Sequence, residues 1–383
     1  MLLIKGLLLL LCLGVSANSM HNLYAQKANE MLPEYTINLD LPPEERWMHI
    51  MPQYSNTIME VINTAYDELP WVFSRTIKYL AKKYFEEIPE DIGEYGKEMI
   101  GISKATGIDL YEVVLYNIFY EVFSLCTSVV IDSQDNQDNQ NNQDNQDNQD
   151  YNDTIIHARN LDFGVLMEGI VPLLKNITIN VAFTKNGTVV YRAHTFAGFV
   201  GIFTGMKPYK YSITINQRFA LNGGFLGIMK WFRTKTPNWN SLIVRTLLEG
   251  DYDYDYVVNQ LSTVELVAPI YYIIGGLGNK DGALITRDRY YNLQPIYLNT
   301  SKYIFQTNHD HWIEPFYFDD RTTAGKQFLD NNYHNIENIK KMLGTKPTLN
   351  RITIFSSIMI PKLDYMHGYI QNCIEPCHSI NFF

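Results

Sequence analysis

Apolar positions recur at helical spacing through Trp71–Phe85 and again through Ile92–Ile102, so residues 18–125 read as mainly helical. Asp109 and Glu112 stand three residues apart, the spacing of a capping box. Val113, Val114, Ile118, Val122 and Phe123 then supply the apolar content of a helix running toward Ser124. At Cys126 the pattern switches, because Thr127, Ser128, Val129, Val130 and Ile131 are strand formers. A helix is therefore expected to deliver the chain directly to a strand whose first residue is a cysteine.

Residues 133–153 form an Asp-Asn-Gln low-complexity insert with almost nothing to bury, expected as a solvated loop or disordered insert. Strand character resumes at Thr154–His157, which places the insert at the tip of a hairpin. Further strands are expected at Asn176–Thr184, Thr188–His194, Tyr211–Ile215, Ile270–Ile274, Ala283–Thr286 and Tyr303–Gln306. Helical patterns lie at Phe225–Phe232, Ser241–Leu248, Tyr254–Leu261 and Asn335–Leu343. Strand and helix runs that segregate in this way favour an α+β layered fold over a regularly alternating parallel sheet.

The chain has 383 residues, 46% of them hydrophobic and 13% aromatic, enough to build one large core or two ordinary ones. A formal net charge of −10 without a dense basic cluster argues against a nucleic-acid partner. Residues 1–17 read as a secretory signal, with Lys5, the apolar Leu7–Leu13 and the small-residue site Val15-Ser16-Ala17. Beyond them the longest weakly polar run, Leu266–Gly278, falls short of the roughly 20 residues of a membrane-spanning helix. On an exported chain the sequons at Asn152, Asn176, Asn186 and Asn299 are candidate glycosylation sites.

Loss of the signal removes Cys12 and leaves Cys126, Cys373 and Cys377. In an oxidising compartment Cys373 and Cys377 can close a small disulfide loop, whereas a zinc clip with His378 lacks a convincing fourth ligand. Cys126 is then the odd thiol, either buried filler or a reactive group. No G-x-S-x-G elbow is present, and Gly275-Gly276-Leu277-Gly278 reads as a turn between strands rather than a phosphate loop. His309 and His311 flank Asp310 without further residues at metal-ligand spacing, so no metal is expected. A papain-like site would want glycine and aromatic neighbours that Cys126 lacks. Past the insert, Arg159 and Asp162 return on the paired strand, where an arginine beside a thiol lowers its pKa. The bland alternative for that pair is an ordinary surface contact.

The segments Tyr35–Pro43 with Arg46 and Trp47, Asn117–Glu121 leading to Cys126-Thr127-Ser128, and Arg159-Asn160-Leu161-Asp162-Phe163-Gly164 resemble the acid ceramidase family. So do Phe196–Gly201, Asn222-Gly223-Gly224, Ile285–Arg289, Gln306-Thr307-Asn308 and Asp319-Asp320-Arg321. That family, with its relatives the N-acylethanolamine acid amidases, consists of N-terminal nucleophile (Ntn) hydrolases, so the resemblance implies a four-layer αββα sandwich of antiparallel sheets. It implies self-cleavage between Leu125 and Cys126 into an α chain (18–125) and a β chain (126–383) that remain an α/β heterodimer. The freed α-amino group of Cys126 would then serve its own thiol as base and the leaving amine as acid.

By the same resemblance Arg159 tunes the nucleophile, Asp162 orients the amine, Asn308 donates to the oxyanion and Arg321 fixes the charge network, with no cofactor and no metal. The substrate implied is ceramide at a membrane surface, with a lipid-presenting helper protein a possible partner, in a lysosomal or secreted setting. An N-acylethanolamine substrate is the alternative, and an inactive secreted lipid-binding glycoprotein is the alternative of another class. Phe196–Met206 and Phe219–Trp231 are candidate channel walls, or plain core. Two positions depart from the family pattern. Thr322 stands where a second arginine is expected, and Phe328 stands where a cysteine would tie the two chains, which leaves packing alone to hold them.

Overall fold

The computed structural model describes residues 30–68, 71–133, 154–163, 168–218, 227, 230–231, 234–235, 238–278, 280–315 and 319–377. Two sheets dominate. The larger has the order β1 (Glu34–Asn38), β4 (Thr178–Lys185), β5 (Thr188–Phe196), β6 (Thr204–Lys207), β7 (Tyr211–Gln217), β8 (Ile270–Gly275), β9 (Gly282–Arg287), β10 (Ile296–Tyr297). The smaller runs β11 (Tyr303–Gln306), β2 (Ser124–Asp132), β3 (Ile155–Phe163), β12 (Thr353–Ile360), β13 (Tyr365–Ile370). Among the described residues, the pairings between these strands are antiparallel except β1 with β4.

The two sheets stack because strand side chains alternate between faces. On β2, Val129 and Ile131 pack with Leu329, Ile339, Met342 and Leu343 of the helices Arg321–Asp330 and Ile336–Leu343. Val130, on the opposite face, packs between the sheets with Tyr271, Ile273 and Leu284. Helices Met51–Glu68, Glu94–Thr106, Asn240–Glu249 and Tyr254–Thr263 join the large core on the other sheet. The result is the α+β layering read from the strand and helix runs, in the αββα arrangement that the resemblance implies.

Every strand run expected from residue 176 to 306 is present within two residues of its anticipated ends, and Gly275–Gly278 does turn the chain from β8 toward β9. The helix expected at Phe225–Phe232 lies largely outside the described residues. Helix Leu110–Phe123 runs straight into β2, although Glu112 turns its carboxylate to Lys78 and Tyr111 rather than completing a capping box. β2 and β3 form one hairpin, closed by Ser133 N donating to Thr154 O at 2.9 Å, so the insert leaves and re-enters at adjacent positions. The insert itself lies outside the described residues.

The amino-terminal segment is less separate than its helical pattern suggests. It contributes β1 to the large sheet beside β4, and Met31 bridges to Tyr369. A buried ion pair adds to the packing that joins residues 18–125 to the rest. Glu98 accepts two bonds from Arg245, at 2.6 and 2.7 Å, and both side chains are completely buried.

Candidate active site

Cys126 is the third residue of β2 and is fully buried. Its register partner is Leu161, and Ser128 faces Arg159. Opposed residues share a face and alternate residues return to it, so the thiol and Arg159 are diagonal neighbours on the face turned to the larger sheet. Arg159 Nη2 donates to Cys126 Sγ, while Nη1 donates to Phe203 O (2.8 Å) and Thr204 Oγ1 (2.9 Å). Arg159 Nε is buried without a hydrogen-bond partner, and no carboxylate among the described residues forms an ion pair with this guanidinium.

Asp162 opposes Leu125, which puts its carboxylate on the other face of the hairpin. There it accepts from Arg321 Nη1 (3.0 Å), Asn350 Nδ2 (3.2 Å) and Thr353 Oγ1 (2.7 Å). Arg321, at the first turn of its helix, also donates to Cys126 O (3.1 Å), to Asn308 Oδ1 (3.0 Å) and, through Nε and Nη2, to both oxygens of Asp319 (2.6 and 2.7 Å). Asn308 Oδ1 accepts from the Cys126 nitrogen at 2.8 Å, and Asn308 Nδ2 donates to Gln217 O at 2.8 Å. All five residues singled out in the sequence thus converge on one buried corner. The Asp162 carboxylate reaches the cysteine by way of Arg321, while its backbone acts on the thiol directly, and in the uncut chain Asn308 faces the nitrogen as an acceptor.

Burial is the largest influence on the thiol and pushes it up to about 11, against the downward pull of Arg159 and Arg321. The expected lowering by arginine is therefore present but outweighed while the chain is intact, because a buried anion loses more hydration than one guanidinium returns. Burial likewise lowers Arg159, with Cys126 and Asp162 opposing. For Arg321, Asp319 and Asp162 overcome burial and raise it. Burial raises Asp162 against Arg321, Thr353 and Asn350.

Sequence reasoning missed Asn350 and Thr353. Their signal is a strand, β12, that pairs with β3 at Thr353↔Asp162 and was not anticipated after residue 343. Cys373 and Cys377 are disulfide-bonded. Asn176, Asn186 and Asn299 are exposed, and Asn152 lies outside the described residues. His309 bridges Thr307 and Thr322 by hydrogen bonds, and no group of three metal-ligating side chains occurs among the described residues. Phe196–Met206 is buried core, while most of Phe219–Trp231 lies outside the described residues. No helix of the described residues is long and apolar enough to cross a membrane.

Residues 30–88 match the family model for the beta subunit of N-acylethanolamine-hydrolyzing acid amidase. Residues 146–287 match that of the linear amide C-N hydrolases of the choloylglycine hydrolase family. The chain is 36% identical over 365 residues to acid ceramidase of Macaca fascicularis, covering 90% of this chain and 87% of that protein. It is 35% identical over 366 residues to acid ceramidase of Homo sapiens, covering 90% and 88%. Among solved structures, the Caenorhabditis elegans ortholog of N-acylethanolamine-hydrolyzing acid amidase aligns with a TM-score of 0.52 at 28% identity. That alignment covers 64% of this chain and all of the other.

Proposed function

The chain belongs to the acid ceramidase family of linear-amide hydrolases, and from that premise we propose that it cleaves the amide of ceramide to a sphingoid base and a fatty acid. Cys126 is the nucleophile, released by self-cleavage of the Leu125–Cys126 bond. The observation that carries this reading is a buried guanidinium, Arg159, bonded to a buried thiol and lacking a carboxylate among the described residues. Ionisation of the thiol supplies the missing counter-charge, so the pair is arranged for a thiolate.

In the uncut chain, attack of Sγ on the Leu125 carbonyl carbon forms the carbon–sulfur bond. The carbon–nitrogen bond then breaks, with the thiol proton passing to the nitrogen. Water hydrolyses the thioester and frees thiol and amine on one residue. An ordinary α-amine has a pKa near 8 and would be protonated in acid. Arg159 and Arg321, both bonded to Cys126, lower it toward a working range. The amine then takes the thiol proton as the sulfur attacks the lipid amide and returns it to the sphingoid nitrogen as the carbon–nitrogen bond breaks. Water, deprotonated by the same amine, hydrolyses the acyl thioester to release the fatty acid and restore the thiol. Asn308 Oδ1 orients the amine, and Nδ2 serves the oxyanion once substrate draws it from Gln217 O. Asp162 and Arg321 hold both in register.

Residues 1–17 direct export, the exposed sequons carry sugar, and the processed α and β chains act on lipid at a membrane surface in the lysosome or outside the cell, with a helper protein presenting the substrate. Denaturing electrophoresis with N-terminal sequencing tests the core of the reading. Two chains are expected, the second beginning at Cys126, and a single intact chain would instead favour a lipid-binding protein without activity. The amidase reading is favoured by the matched amino-terminal model and the solved neighbour. Parallel assays on ceramide and on an N-acylethanolamine at about pH 4.5 decide between them, and preference for the ethanolamide would reverse the ranking.

A further inference from the structure

Asn308 sits on a turn that begins where β11 ends. β11 has four residues and lies at the edge of its sheet, paired with β2 alone, so the turn leaves its sheet unsupported after Gln306. Part of its support is the helix Arg321–Asp330, through Arg321 Nη2 donating to Asn308 Oδ1 (3.0 Å) and Thr322 Oγ1 beside Thr307 Oγ1 (3.0 Å), and the rest comes from the other sheet. Three successive residues where β7 ends each hold one part of the turn. Asn216 Nδ2 donates to Gln306 O (2.8 Å) and Thr307 O (3.3 Å), and Gln217 O accepts from Asn308 Nδ2 (2.8 Å). Arg218 Nε and Nη2 clamp Asp310 Oδ1 and Oδ2 at 2.6 and 2.9 Å. From β8, the strand beside β7, Tyr271 adds a hydroxyl bond to Asp310 Oδ1 at 2.5 Å.

We propose that Arg218 and Asp310, braced by Tyr271, are a positioning pair that holds Asn308 Oδ1 on the Cys126 nitrogen and thereby sets the rate of amide hydrolysis. The inference rests on the proposed roles of Cys126 and Asn308. A bidentate Arg–carboxylate contact fixes distance and angle together, which a single hydrogen bond does not. The two side chains are mostly buried, 14% and 15% exposed, and Arg218 Nη1 also donates to Arg287 O, so removing the pair should cost stability as well as position, and kcat per folded molecule separates the two. Asp310 is two residues from Asn308, close enough for a displaced turn to pull the amide off the nitrogen. Displacements of about 1 Å in such groups cost up to ~10²-fold in rate.

The test uses the processed enzyme and a ceramide substrate, with variants Asp310→Asn, Arg218→Gln, their combination and Tyr271→Phe. The expected result is a fall in kcat of roughly 10-fold for each of the first two, with KM within about 2-fold. The combined variant should be no worse than either single one, since both act through one contact. A second readout is the acid limb of kcat/KM. A carbonyl oxygen accepting from an ammonium favours the charged form, so displacing Asn308 lowers the amine pKa and moves that limb to lower pH. A variant with lower Tm but unchanged kcat and pH profile would overturn the proposal, as would a rise in KM alone. If Asp310→Asn fails to process, Tyr271→Phe, expected to lose about 3-fold in kcat, carries the same decision. In an Asn308→Ala background the pair's removal should add nothing. Activity retained by Cys126→Ala would instead sink the underlying reading, a distinguishable failure.

Discussion

Among the described residues, two fully buried guanidinium groups, Arg245 and Arg159, sit in clusters built to opposite ends. In one, Glu98 accepts from both terminal nitrogens of Arg245, from Arg46 Nη1 (2.9 Å) and from Trp47 Nε1 (2.7 Å). Arg245 spends its remaining donors on Glu249 and Val200 O, and its plane lies over the rings of Tyr95 and Phe183. Although burial alone would lower Arg245, Glu98 and its neighbours raise it well above its ordinary value. In the other cluster, Arg159 faces a neutral thiol, has an unpartnered Nε and is held below its ordinary value by burial. A satisfied cluster has one stable charge state and fixes structure. A guanidinium whose partner is a titratable thiol gains when that thiol ionises, and such a contact can do chemistry.

The largest effect expected follows from removing the thiol. Cys126→Ala should leave a single precursor band on a denaturing gel, with hydrolysis reduced on the order of 10⁶-fold, to background. Two bands from this variant would show that the scissile bond does not depend on the sulfur. The satisfied cluster predicts the reverse phenotype. Glu98→Leu removes the buried carboxylate that two guanidinium groups share, leaving Arg245 only Glu249 and Arg46 only Glu94, and should cost about 3 kcal/mol in urea unfolding of the processed protein, with kcat per folded molecule unaltered. Adding Arg245→Met should recover part of that loss. Because Glu98 precedes the proposed cut and Arg245 follows it, the single variant should also lower the urea concentration at which the two pieces separate on gel filtration, while β1 and the shared core still join them in buffer. Loss of kcat without loss of stability would erase the distinction between the clusters.

Arg159→Gln sharpens it from the other side. The amide retains a donor and much of the volume but brings no positive charge to the thiolate, so hydrolysis should fall roughly 10²- to 10³-fold while the urea midpoint barely moves. The expected signature is a slower reaction of Cys126 with a thiol-alkylating reagent, measured against pH. An unfolded or unprocessed protein would mean that this arginine also serves the fold.

Part of the active corner was legible as polar residues that break an apolar pattern, whereas Asn308 and Arg321 lie in turn-like sequence and were carried by the family resemblance alone. Cys126 marks the change from helical to alternating spacing, and Arg159 and Asp162 interrupt an otherwise buried strand whose nine positions are all buried. Period-two alternation places Cys126 and Arg159 on one face once the hairpin register is known, and puts Asp162 on the other. The register itself was hidden, since the insert conceals how the hairpin closes. β12 and β13 were unreadable for a different reason. β12 is buried on both faces, and Ser356 and Ser357 interrupt its apolar positions, so it shows no alternation, and Thr353 on it and Asn350 just before it, both bonded to Asp162, went unseen with it. The Glu98–Arg245 contact joins residues 147 positions apart, a distance over which local periodicity carries no signal.

A third buried group separates the two sheets without belonging to either cluster. His157, two residues before Arg159 on the same face, sets Nδ1 against Ser212 Oγ and Nε2 against Thr214 Oγ1, each at 2.9 Å. Burial, reinforced by the charge of Arg159, lowers it to about 3, and burial lowers His194 to about 3 as well. A base whose folded pKa is depressed contributes stability that is complete above its unfolded value near 6.5 and is lost as pH falls toward 3. Between neutrality and about pH 4.5 each of these histidines should therefore cost the fold roughly 2–3 kcal/mol. His157→Gln keeps a donor and an acceptor for Ser212 and Thr214 but cannot titrate, so its urea midpoint should fall less steeply between pH 7 and pH 4.5 than that of the wild type. His194 supplies the slope that remains. Equal slopes would mean that the unfavourable proton enters elsewhere and that the layer between the sheets tolerates charge beside Arg159, which would also weaken the argument that this guanidinium waits for an anion.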